Sequence, residues 1–242
     1  MRVALISDLH GSEFALTAVL ADIARTGVDQ IICLGDVATL GPRPREVLAR
    51  LAELRCICIL GNHDEFMLDE RLIRSYSEVP IIVEAVDWCR AQLSSADLTF
   101  IASFSRRFEL SLNGSGTLLL FHGTPQSNMI DLLATTPAER VDEMLGGRRA
   151  TVMAGGHTHL QMLRQHRGTL LVNPGSVGLA FKEHAAGKVP VLLPHAEYAV
   201  IDATNGEVAV SLRRVPLDKA ELRQAARVVE HPLKGWLTEM YS

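Results

Sequence analysis

No apolar stretch in the chain approaches the ~20 residues that a membrane-spanning helix requires, so a helical integral membrane protein is excluded. Excess positive charge is missing too. The formal net charge is −4, which argues against nucleic acid or an anionic membrane as the bulk electrostatic partner. It leaves room for a small phosphorylated ligand, which answers to local charge and bound metal. Cysteine is scarce: Cys33, Cys56, Cys58 and Cys89 form no C-x-x-C pair, and the first three sit inside apolar runs. They are expected to be reduced, buried hydrophobes, as in a reducing cytosol. Met1 to Ile6 is followed at once by Ser7 and Asp8, with no basic region and signal-length apolar segment, so a cytoplasmic location is expected. Repeats, low-complexity tracts and an evident linker are also lacking.

What the chain does have is an ordinary globular composition, 48% apolar and 21% charged over 242 residues. That length suits a single α/β domain, 1–242. Val3 to Ile6 reads as a first strand, ended by Ser7-Asp8-Leu9-His10-Gly11. Ser12 can cap a helix whose apolar stripe is Phe14, Leu16, Val19, Leu20 and Ile23. Ile31 to Leu34 is a second strand, stopped by Gly35-Asp36, and Glu46 to Leu54 a second helix. Cys56 to Leu60 reads as a third strand, stopped by Gly61. This alternation predicts a largely parallel sheet.

Residues 65–105 break the alternation. Glu65 to Ser75, Pro80 to Leu93 and Ser95 to Ser103 read as helices, a helical insertion beside the site. Strands resume as hairpin-like pairs around 113–116 and 204–206, with a helix at Thr136 to Leu145 and another strand at Ala150 to Ala154. Leu160 to Gln165 and Thr169 to Val172 are strands around a turn, and Asp218 to Val229 closes the chain as a helix. Lys182 to Pro194 is the most loop-like segment, either a surface connection or part of a substrate-facing rim.

Polar groups collect at the carboxyl ends of the apolar runs: Asp8 and His10; Asp36; Asn62, His63 and Asp64; His122; His157 and His159. Five of the nine histidines occupy these positions. Ligands of open α/β sheets bind at such strand ends. Each piece alone has an ordinary explanation as a turn, cap or satisfied loop residue. Jointly they describe a metal site, and imidazole with carboxylate suits Zn, Fe, Ni or Mn. The ligand number exceeds what one ion uses. Two ions roughly 3.5–4 Å apart would clamp an in-line displacement and acidify a bridging water for attack on phosphorus.

In this order, Asp8-x-His10, Gly35-Asp36, Gly61-Asn62-His63-Asp64, His122 and Gly156-His157-Thr158-His159 resemble the calcineurin-like metallophosphoesterase superfamily. Val172-Asn173-Pro174-Gly175-Ser176-Val177-Gly178 resembles its small bacterial and archaeal phosphodiesterase-like branch. The resemblance runs from residue 2 to about 178 and implies an α/β fold, a sandwich of two mixed β-sheets flanked by helices. It further implies Asp8, His10 and His159 as ligands of one metal, Asp36 as the bridge, and Asn62, His122 and His157 as ligands of the second. His63 would protonate the leaving alkoxide or stabilise the phosphate beside Asn62, and Asp64 would orient its imidazole. A histidine near a carboxylate titrates near operating pH, which suits that role.

The departures bear on substrate. The phosphate-clamping arginines of the superfamily's protein Ser/Thr phosphatases are absent, since Asp36 is followed by Val37-Ala38 and Asp64 by Glu65-Phe66. Diadenosine tetraphosphate hydrolases of the superfamily are closer in this segment, yet their arginine before Gly-Pro is Leu40 here; Arg43, in the same loop, is the residue expected to reach phosphate instead. The expected function is therefore hydrolysis of a small phosphodiester or phosphomonoester with two divalent metals. Dinucleoside polyphosphate hydrolysis, protein dephosphorylation and a non-catalytic partner-binding scaffold are the alternatives. No nucleic-acid or membrane partner is expected, and an oligomer is possible.

Overall fold

The computed structural model describes residues 1–185 and 187–241; Ala186 of the expected rim and Ser242 of the expected domain lie outside the described residues. The chain begins β1 (Arg2–Ile6), α1 (Glu13–Thr26), β2 (Gln30–Cys33), α2 (Pro44–Glu53) and β3 (Ile57–Cys58). Four helices follow: α3 (Asn62–Leu68), α4 (Arg71–Tyr76), α5 (Pro80–Gln92) and α6 (Ser95–Ala102). Then come β4 (Phe108–Ser111), β5 (Thr117–Leu120), α7 (Ala138–Leu145), β6 (Val152–Ala154), β7 (Gln161–His166) and β8 (Thr169–Pro174). The long hairpin β9 (His195–Thr204) and β10 (Glu207–Pro216) precedes α8 (Lys219–Arg227) and α9 (Lys234–Met240).

Two five-stranded sheets result, ordered β10-β9-β1-β2-β3 and β4-β5-β6-β8-β7. Both are mixed. The trios β1-β2-β3 and β5-β6-β8 are parallel, and the remaining pairings are antiparallel. Period-two alternation explains the layering, because successive strand side chains face opposite ways. Val3, Leu5 and Ile32 point between the sheets and meet Leu118, Leu120 and Val152. Ala4, Ile6 and Cys33 point outward onto Leu16, Val19, Leu48 and Leu51 of α1 and α2. On the far side Leu119, Met153 and Leu171 pack against Val141, Met144 and Leu145 of α7. Helices, sheet, sheet and helix therefore stack in four layers, and each fully buried aliphatic side chain contributes roughly 1.5–3 kcal/mol.

The third strand is shorter than expected. Only Ile57 and Cys58 join the ladder with β2, and Ile59 makes a single bridge to Ser105. As the sheet's edge it has a strand neighbour on one side alone. The expected helix over Glu65 to Ser75 is two helices. Asp69 is extended and its carboxylate accepts the Arg71 N–H at 3.0 Å, restarting the chain as α4. Ser12 sits at the N-cap of α1 without a side-chain cap bond. α9 was not expected, although Leu233, Trp236, Leu237 and Met240 repeat at helical spacing and pack with α8. No helix among the described residues is long and apolar enough to cross a membrane.

Candidate metal centre

Because the parallel trios share a direction, the loops after β1, β2, β3, β5 and β6 leave the two sheets side by side. They carry Asp8 and His10, Asp36, Asn62, His122, and His157 with His159 respectively. Asp8, His10 and His159 bring one ligand atom each within 4.8 Å of one another, and Asp36, His122 and His157 do the same. In the first group, His10 Nε2 is 3.1 Å from His159 Nε2, which is 3.4 Å from Asp8 Oδ1. In the second, His122 Nε2 is 3.3 Å from Asp36 Oδ2 and 3.1 Å from Asn62 Oδ1. Asp36 lies between the groups, its Oδ2 also 3.9 Å from His10 Nε2.

The outer ring nitrogens are fixed by the fold. His122 Nδ1–H donates to Leu34 O and His159 Nδ1–H to Leu179 O, both at 2.7 Å, while His10 Nδ1 is 3.0 Å from Thr39 Oγ1. A proton on Nδ1 leaves the Nε2 lone pair turned toward the group, the arrangement metal-binding histidines adopt. His157 is reversed: its Nε2 is 3.2 Å from Asp131 Oδ1, leaving Nδ1 for the site. Asp131 Oδ2 also pairs with His184 at 2.9 Å.

Backbone strain is concentrated here. Asp8, His10, Asp36, His157 and His159 all have positive φ, five of the ten such non-glycine residues among those described. Non-glycine residues rarely adopt this conformation, and its cost is tolerated where surrounding structure imposes it. Two glycines make the close approach possible. Gly35 has φ +107°, and a Cβ on Gly61 would stand 2.1 Å from Asp36 Oδ1.

Asp8 and Asp36 are 0% and 1% exposed. Among the described residues their ion-pair partners are histidines alone, with no lysine or arginine. Two carboxylates so deeply buried need compensating positive charge. Burial works against a charged His122, yet the carboxylates of Asp36 and Asp8 hold its pKa up at about 10. Asp8 Oδ1 is buried with no hydrogen-bond partner, an orphan oxygen that a cation would satisfy. The donor set, carboxylate and imidazole with one amide oxygen, fits divalent ions.

His63 and Asp64 occupy the first turn of α3, not a loop after a strand. Asp64 does not aim His63. Its Oδ2 accepts the N–H groups of Asp36 at 2.8 Å and Gly61 at 2.9 Å, and its Oδ1 accepts that of Val37 at 2.9 Å. As the third residue of α3 it reaches back to the residue before the helix, half of a capping box, and ties the Asp36 loop to that turn. Burial, with the neighbouring Asp36 charge, raises its pKa to about 7. His63 Nδ1 is buried without a partner; the ring packs edge-on against His10 and Phe66, centroids 5.0 and 4.9 Å away. Burial pushes its pKa down to about 4, so the imidazole is neutral at pH 7.

The structure does not bring Arg43 to this site. It precedes α2, pairs with Glu46 at 2.9 Å, and lines a separate cleft with Pro42 and Trp88. Its loop turns away because the Arg43 N–H bonds to Gly11 O, behind His10. The motif after β8 acts through the backbone. Asn173 Nδ2 donates to Gly156 O at 2.6 Å and Thr158 Oγ1 at 3.1 Å, and Ser176 Oγ donates to Asp8 O at 2.7 Å. Asp131 and Thr39 escaped sequence reasoning, being single polar residues in loops with no local pattern.

The family model of the calcineurin-like phosphoesterase superfamily domain matches residues 1–197. Across 98% of the chain and 96% of the relative, the sequence is 24% identical to the uncharacterised protein MJ0912 of Methanocaldococcus jannaschii. It is 27% identical to phosphodiesterase YfcE of Escherichia coli, over 74% of this chain and 80% of that protein. A metallophosphoesterase structure from Sphaerobacter thermophilus superposes with TM-score 0.77 at 24% identity, covering 99% of this chain and 98% of the other, a likeness of fold.

Proposed function

The chain belongs to the calcineurin-like phosphoesterase superfamily, and from that premise we propose that it hydrolyses a small phosphodiester or phosphomonoester at a two-metal centre. The observation that carries this reading is the pair of buried carboxylates, Asp8 and Asp36, set among four imidazoles with no lysine or arginine paired to them among the described residues. Asp8, His10 and His159 would hold one ion, Asn62, His122 and His157 the other, with Asp36 shared. Manganese, iron, zinc or nickel suits these donors. The ions supply positive charge that neutralises the phosphate and acidifies water.

The residues divide the remaining work. His63 borders the cavity over both groups; being neutral, it offers an N–H to a phosphoryl or leaving oxygen. Asn62 Nδ2 is buried without a partner and gives a second donor beside it. Asp64 keeps Asp36 and the first turn of α3 in register. We read the whole chain as one domain, with 65–105 as a helical insertion; its four free cysteines suit a reducing cytoplasm.

A dinucleoside polyphosphate is the second reading, and the scarcity of cations weighs against it. Lys188 is the one lysine or arginine among the described residues lining the cavity. A scaffold role is disfavoured because every expected ligand is present.

Purified protein with Mn²⁺ or Ni²⁺ should turn over bis-p-nitrophenyl phosphate or p-nitrophenyl phosphate ahead of diadenosine tetraphosphate and a phosphopeptide. No metal-stimulated turnover of any would refute the reading. Asp36→Ala should lose metal and rate together, whereas His63→Ala should keep metal and lose rate. Equal metal loss in both would contradict the roles assigned.

A further inference from the structure

The cavity above the two metal groups has a polar floor and apolar walls. Its volume is about 490 Å³, within the usual range for small-molecule pockets. The walls come from three separate parts of the chain. Tyr76 ends α4, Val79 and Ile81 flank the start of α5, Phe181 and Val189 lie between β8 and β9, and Trp236 lies on α9. None of them belongs to either sheet, and Trp236 falls beyond residues 1–197 that match the family model.

These side chains keep much of their surface in water. Tyr76, Val79, Ile81 and Val189 are 47%, 53%, 43% and 74% exposed, four of the eleven large exposed hydrophobics among the described residues, all around one opening. Exposed apolar groups gathered at one place mark a binding surface. Opposite charge for a polyanion is scarce, Lys188 being the one lysine or arginine among the described lining residues. The indole Nε1 of Trp236 is buried with no hydrogen-bond partner, one unused donor among apolar side chains. The segment carrying Phe181 and Val189 is pinned at its base, Phe181 bridging Leu192 and Lys182 N–H bonding Val191 O at 2.9 Å.

We propose that the substrate carries a bulky apolar group, alkyl or aryl, esterified to the phosphate and held between α4–α5, Phe181 with Val189, and α9. This deepens the phosphoesterase reading and rests on it. The phosphate sits on the polar floor, and the apolar group leaves water against Tyr76, Ile81 and Trp236. Chain length or ring size on the ester then sets affinity.

Isothermal titration of the Mn²⁺-loaded protein with inorganic phosphate, methyl- to hexylphosphonate and phenylphosphonate tests this. Each methylene buried should tighten binding about two- to fourfold, so hexylphosphonate should bind at least about 30-fold tighter than methylphosphonate. Ile81→Ser and Trp236→Ser should each flatten that series, lowering hexylphosphonate affinity several-fold more than methylphosphonate affinity; Ile81 is half-exposed, so its variant keeps the fold. A flat series in the unaltered protein, with phosphate still bound, overturns the apolar pocket alone. If neither phosphate nor any phosphonate binds the loaded protein, the phosphoesterase reading falls and the pocket with it.

Discussion

Three backbone N–H groups, of Asp36, Val37 and Gly61, end on the single carboxylate of Asp64. Removing it leaves all three buried and unpaired, each a desolvation penalty of about 1–3 kcal/mol. Asp64→Ala should therefore lower stability by about 3 kcal/mol or more in urea unfolding; an unchanged midpoint would show that the carboxylate does not tie the loop. Asp131 works differently, holding His157 Nε2 at the mouth of the site. Asp131→Asn should weaken one of two metal-binding steps by about 10–100-fold in calorimetry and leave the other unaltered. Equal weakening of both, or of neither, would rule out a role confined to His157. The sequence placed Asp8, His10, Asp36, Asn62, His122, His157 and His159 at strand ends, and the structure gathers them. It could not give the partners of Asp64, because a carboxylate beside a histidine in sequence need not face it. Once α3 begins at Asn62, His63 and Asp64 point to different sides of a helical turn.

Elements read from apolar periodicity are those with a long, one-sided pattern. α1 and α7 bury Leu16, Val19 and Val141, Leu145 on one stripe, and β1 alternates between two cores. Short elements at edges were read less well: β3 keeps two residues of the strand expected over Cys56 to Leu60, and α9, a seven-residue helix that starts just after Pro232, was not expected. The turn before α9 carries a pH dependence. His231 is buried, accepts the Leu233 N–H at Nδ1 at 3.2 Å, and packs edge-on against Trp88 with Cys89 Sγ 3.9 Å from Nε2. Burial pushes its pKa down to about 4, against about 6.5 when unfolded. Between these values the unfolded chain binds a proton that the folded one refuses, so stability is full above pH 6.5 and falls as pH drops toward 4. The Tm of the natural protein should fall more between pH 7.5 and pH 5 than that of His231→Gln. Equal falls would mean that His231 is not the group responsible.

The whole molecule brings two sheets together so that five strand ends open on one place, and it closes over that place with helices and a segment drawn from elsewhere in the chain. The sheets account for the charge at the floor: Asp8 and Asp36 are 149 and 121 residues or more from His157 in sequence, and only the packing of one sheet on the other sets them side by side. This is why the order of motifs was readable while the apolar roof was not. Tyr76, Val79, Val189 and Trp236 belong to no shared motif, and their meeting is a property of the folded chain. The central claim is a centre of two ions acting together. Metal-free protein titrated with Mn²⁺ should show bis-p-nitrophenyl phosphate turnover that rises to a plateau at two equivalents per chain. A plateau at one equivalent, or no turnover at any ratio, would contradict it.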